Sequence, residues 1–215
     1  MMIGVVLQAL VLILSVVSLL LTGVVLLVIA LCGVVVFSLE SGIDYFFEVA
    51  ALGLAYILVS TRINALDRIC FARYELTRFA DLAPTILRLG LGLQLITLAI
   101  HNKLYEPAAT YFFLTEHPYY NFPQFLGWAD FTHLHFALAA GVFEAAFGVM
   151  LMLGLATRYV LLVVSFFFIS TGIISGLEEV MGRLPIFGVI AVLFVAGDRR
   201  SLDTNEAETL APSPA

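Results

Sequence analysis

The chain has 215 residues and a formal net charge of −6; 62% of its residues are apolar and only 12% are charged. A soluble domain carries about 25% charged residues, so a water-soluble globule is excluded, and one membrane domain accounts for the length. The ten basic residues are scattered between apolar runs, which gives no footing for nucleic acid, and the two cysteines, Cys32 and Cys70, form no C-x-x-C exchange motif.

In chain order, residues 1–60 read as an N-terminal transmembrane extension. Met1 to Leu39 carries no charge, and a helix of that length outruns a hydrocarbon core of about 30 Å. The simplest reading is one span, tilted or broken near Thr22-Gly23, with a tight hairpin of two short spans as the alternative. A second span covers about Ile43 to Ser60. Residues 61–81 follow as a basic segment in which Ile63, Leu66, Cys70 and Tyr74 recur at helical spacing, the pattern of a helix lying in the cytoplasmic interface. Pro84 suits the first turn of a third span, about Leu82 to Asn102. A fourth covers about Thr132 to Leu155, a fifth about Tyr159 to Leu177 and a short sixth about Leu184 to Ala196. The last borrows apolar residues from Glu179-Val180-Met181. Residues 204–215 close the chain as a polar tail, expected to be disordered. The fold class is therefore all-α: a polytopic membrane bundle of about six helices.

Arg62, Arg68, Arg73, Arg78, Arg88, Arg158, Arg199 and Arg200 fall at every second break between the apolar runs, and only Lys103 and Arg183 fall at the others. Short basic loops stay in the cytoplasm. That rule gives a multi-pass protein of the inner (plasma) membrane with both termini cytoplasmic and residues 104–131 outside.

With directions assigned, ionisable groups gather in the outer half. Asp44 and Glu48 share one face of the second span at i and i+4. His101 and Lys103 end the third span, His133 and His135 open the fourth, Glu144 lies about 16 Å deeper, and Glu178, Glu179 and Arg183 close the fifth. A carboxylate facing lipid near mid-bilayer costs several kcal/mol, so Glu48 and Glu144 should face the interior and find partners, Glu144 with Lys103 or His101. No metal site is assigned, because His133 and His135, two residues apart, do not share a helix face. Above this cluster the outer loop carries ten aromatic residues, among them Tyr119 and Tyr120. It is either an interfacial cover or a lid over a ligand pocket.

The stretches Ile86-Leu87-Arg88-Leu89-Gly90-Leu91-Gly92-Leu93, His101-Asn102-Lys103-Leu104, Gly141-Val142-Phe143-Glu144, Leu153-Gly154-Leu155-Ala156-Thr157-Arg158 and Asp198-Arg199-Arg200-Ser201-Leu202-Asp203 together resemble the DoxX-type integral membrane proteins over residues 82–203. The resemblance implies a four-helix core and a link to quinone-coupled membrane oxidoreductases. Its matched polar positions are Lys103, Glu144 and Arg158. The expected function is a redox-associated membrane protein, a subunit or partner of a quinone-linked oxidoreductase. Its quinone and proton site would use His101 and Glu144 for protons and Lys103, His133, Tyr119, Tyr120 and Glu178 for binding. The expected partners are the lipid bilayer and other membrane or oxidoreductase subunits. The alternatives are a non-catalytic structural or assembly subunit and, with less support, a small transporter.

Cysteines introduced at Thr115 and Thr204 should label from opposite sides of the membrane; labelling from one side would overturn this topology.

Overall fold

A computed structural model of the protein describes residues 2–36, 38–71, 76–176 and 184–196. The expectations placed on Glu178, Glu179, Arg183, the C-terminal Asp198–Asp203 match and the tail lie outside these residues. Among the described residues ten α-helices follow one another: α1 (Met2–Val17), α2 (Leu19–Val36), α3 (Ser38–Ile63), α4 (Ala65–Phe71), α5 (Ala83–Ala99), α6 (Ala108–Glu116), α7 (Phe122–Phe125), α8 (His133–Leu153), α9 (Thr157–Ser175) and α10 (Leu184–Ala196). Short 3-10 turns cover Leu76–Leu82 and Pro118–Tyr120, and no strand occurs among the described residues. Five helical segments, Leu19–Val36, Gly42–Ile63, Arg78–Tyr105, His133–Leu153 and Thr157–Ile174, are long and apolar enough to cross a membrane. The described part of α10 has 13 residues, about 20 Å at 1.5 Å per residue, and falls short of a 30 Å core.

α5 is the axis of the bundle. α3 packs along one side and α8 along another, α2 backs onto α3, and α10 contacts α5, α9 and α3. Two glycines set these distances. A β-carbon on Gly90 would lie 2.1 Å from Ala51 Cβ of α3, and one on Gly92 would lie 2.7 Å from the Gly148 carbonyl of α8. Small residues let helix backbones approach closely where lipid supplies no hydrophobic drive for association. The apolar core, with Leu87, Leu91, Leu95, Leu151, Leu161 and Val189 almost wholly buried, fills the space among α5, α8, α9 and α10.

The N-terminal run breaks at Ser18, one turn before the expected Thr22-Gly23. Gly23 instead serves a close helix contact, since a β-carbon there would lie 2.5 Å from the Gly53 carbonyl of α3. The break is built from residues almost fifty positions away. Asn64, just past α3, donates from Nδ2 to the Val17 carbonyl at 3.1 Å, and its Oδ1 accepts from Leu66 N at 2.9 Å. Asp67, fully buried on α4, accepts from the Ser18 hydroxyl and, at 3.1 Å, from Leu20 N. One side chain thus closes the end of α1 while the other holds the open N–H groups at the start of α2, where a negative charge also suits the helix dipole.

The same contacts explain the form of the 61–81 segment. With Asp67 turned inward, Ile63, Leu66 and Ile69 are exposed. α4 is a single short helix rather than one running through the whole stretch; Tyr74 lies outside the described residues.

Asp67→Ala removes both acceptors at a buried position. A loss of about 1–3 kcal/mol is expected, the usual cost of stranding buried donors, read as a lower unfolding midpoint in detergent. An unchanged midpoint would show that the break stands without Asp67.

Candidate functional site

α5 does not end as an α-helix. Its last turn widens into a π-helix over Ile100–Tyr105, closed by Glu106 N donating to the His101 carbonyl at 3.0 Å, five residues back. Such turns are rare and concentrate at functional sites. On this turn His101 and Lys103 point to different neighbours. His101 Nδ1 lies 3.1 Å from Asp44 Oδ1 on α3, and the Lys103 ammonium donates to Glu144 Oε2 on α8. Gly141 allows the second contact, because a β-carbon there would come within 2.9 Å of Lys103 Cβ.

The two pairs have different surroundings. On the α3 side, Gln94 of α5 is fully buried. Its Nε2 donates to the Asp44 carbonyl and its Oε1 accepts from Glu48 N at 3.4 Å. The amide therefore bridges the backbone of two acidic residues of this helix, Asp44 and Glu48. Glu48 itself is 1% exposed, inside the bundle.

The α8 side opens onto a cavity of about 740 Å³. Its walls come from the π-turn, α6, α7, α8 and α9, and they are mostly apolar and rich in aromatic rings, Phe113, Phe122, Phe143, Phe147 and Phe168 among them. Lys103, Glu144, Thr110, Tyr120 and Thr171 supply the polar groups. Lys103 and Glu144 keep 26% and 12% of their side-chain surface accessible. A mostly apolar chamber with a few convergent polar groups is the usual form of a small-molecule site.

The loop over the cavity is tied down at three points. The Tyr120 hydroxyl donates to the Ser170 carbonyl of α9 at 2.8 Å. Asn121 is fully buried; its Nδ2 donates to the Phe131 carbonyl at 2.9 Å and lies 3.2 Å from His133 Nδ1. Thr132 caps α8 in a reciprocal box with His135, which meets two open N–H groups at once.

The residues singled out in the sequence therefore separate. Lys103, Glu144 and Tyr120 meet around one cavity. His101 does not line it and pairs with Asp44 on the other face of the turn. His133 is held by Asn121 and meets Tyr111 edge-on, with ring centroids 6.0 Å apart. Tyr119 is half exposed, its hydroxyl 3.4 Å from His117 Nδ1. Glu178 lies outside the described residues. Sequence reasoning misses three features: the π-turn, the buried Gln94 and the buried Asn121. Only the last has a sequence cue, a lone Asn beside Pro118 and Pro123 in an aromatic loop.

Breaking a buried ion pair by removing one partner costs about 3–5 kcal/mol, whereas replacing both partners with apolar groups is often neutral. Lys103→Met and Glu144→Leu should each lower the unfolding midpoint markedly, and the double variant should recover most of the loss. Equal losses that simply add would show that the two charges do not depend on each other.

No protein-family model matches the chain, and no curated protein and no solved structure matches it.

Proposed function

We propose that this chain is a redox-associated protein of the plasma membrane, a subunit or partner of a quinone-linked oxidoreductase, and that the cavity between α8 and α9 binds the quinone. The observation that carries the reading is the pairing of a 740 Å³ aromatic chamber with an ion pair at its wall. A quinone head group is flat and apolar and carries two carbonyl oxygens, so it needs ring-lined walls and one or two hydrogen-bond donors. Lys103 would donate to a carbonyl oxygen, with Glu144 holding the ammonium in place. When bound, a quinone supplies two-electron, two-proton chemistry. Glu144, the partner of Lys103 at the chamber wall, would hold or pass a proton there. Electrons come from a partner subunit. His101, facing Asp44, takes no direct part at the ring.

Two further points support the reading. Lys103 and Glu144 are two of the three polar positions that the DoxX-type resemblance matches, and they meet each other. In that reading α5, α8, α9 and α10 are the four-helix core, α10 is a short sixth span, and both termini are cytoplasmic.

A second reading has one observation in its favour. Lys103 and Glu144 already satisfy each other, so the pair can serve as internal glue in a structural or assembly subunit.

The two separate on quinone content. The wild-type protein isolated in native lipid should carry more extractable quinone than the surrounding membrane, and Glu144→Gln and Lys103→Met should lose that excess. Equal content in all three, or no excess in any, favours the structural subunit.

A further inference from the structure

The cavity has a mouth, and its position says where the ligand comes from. Among the cavity's aromatic wall residues, Phe122, Phe143 and Phe167 are also strongly exposed, at 56%, 64% and 48%. They belong to α7, α8 and α9, so they frame an opening on one side of the bundle. Phe143 stands about 15 Å along α8 from its start at His133, and Phe167 about 12 Å from the end of α9 at Ser175, at 1.5 Å per residue. Both helices have these ends at the aromatic loop, because the connection at the opposite end is a short turn over residues 154–156. Two flanks of the opening therefore lie at the depth of the hydrocarbon, below the headgroup zone.

On the water side the loop over the chamber is held in place. Tyr120 ties the loop to α9, and Asn121 ties it to Phe131, the residue before α8 is capped. Phe113, Tyr120 and Phe131 are part of the cavity wall. The wide side of the chamber follows from the packing. α8 lies against α5 along its length, while α9 packs much less against α8. Around residues 136–147 and 164–171 the space between α8 and α9 is the cavity itself.

We infer that the ligand enters sideways from the bilayer, and that it is an amphiphile with a long apolar tail. Its polar ring rests against Lys103 and Glu144, and its tail leaves between Phe143 and Phe167 into lipid. The inference deepens the quinone reading and rests on it. A tail of this kind stays in hydrocarbon when the head enters, so binding does not require it to leave lipid, and affinity is set by the ring and its two polar neighbours.

Two photoreactive benzoquinones test this on the full chain in lipid nanodiscs, one carrying its reactive group on the ring and the other midway along a long isoprenoid tail. The expected result is that the ring probe labels peptides containing Lys103 or Glu144. The tail probe should label residues 140–147 and 164–171, and excess unlabelled long-chain quinone should abolish both signals. Phe143→Trp, which fills the mouth from its lipid-facing side, should reduce labelling by both probes while leaving the unfolding midpoint unchanged. A ring probe that labels the cavity beside a tail probe that labels only residues 104–131, or nothing, overturns sideways entry and leaves the quinone site standing. No competable labelling by either probe overturns both.

Discussion

A charge buried in hydrocarbon must be paired, and this requirement arranges the bundle around α5. A lone carboxylate at this depth costs several kcal/mol. The chain meets the cost by placing partners for α3 and α8 on the single helix between them. The positions follow a simple rule. Gly90, Gln94 and His101 meet α3, whereas Gly92, Ile96 and Lys103 meet α8. The two sets share one spacing, i, i+4 and i+11, and are offset by two residues. At 3.6 residues per turn, steps of four and eleven return to nearly the same face, and a step of two crosses to another. Each face thus has a glycine for close approach low on the helix and a basic group at its end. The packing that brings the helices together also brings the charges together.

How much of this the sequence discloses depends on how local the cause is. The apolar runs, the lone charges and the need of Glu144 for a partner are properties of single residues and short windows. Lys103 as that partner follows from two helix ends meeting. The break at Ser18 cannot be read in the same way. The visible cue, Thr22-Gly23, marks a close helix contact instead, and the true break depends on Asn64 and Asp67, whose role appears only once α4 has folded back. The π-turn is similarly hidden, since nothing in Ile100–Tyr105 departs from helix-forming composition. Depth along the membrane normal puts His101 beside Glu144 as readily as Lys103. Depth is not enough; the face of the helix decides.

The aromatic loop illustrates the same limit from the other side. Ten aromatics outside a membrane helix fit a surface anchor as well as a cover, and composition alone gives no means to choose. The ties at Tyr120 and Asn121 make the choice physical. A fully buried Asn with three hydrogen-bonding neighbours fixes the path of the backbone, so the rings of Phe113, Phe122 and Phe131 become wall. Trp128 and Phe125 remain exposed and suit the interface. Both roles are present in one loop, divided by residue.

The two pairs on the π-turn are chemically alike, a base against a carboxylate with about a fifth of the surface accessible, yet they cannot serve alike. Asp44 belongs to a helix whose backbone is held by Gln94. His101 faces Asp44 and does not line the chamber. Glu144 and Lys103 border a chamber with room for a flat ring. A group can exchange a partner for a ligand only where the ligand can stand, so of the two pairs the one on α8 can meet chemistry and the one on α3 holds the helix that presents it.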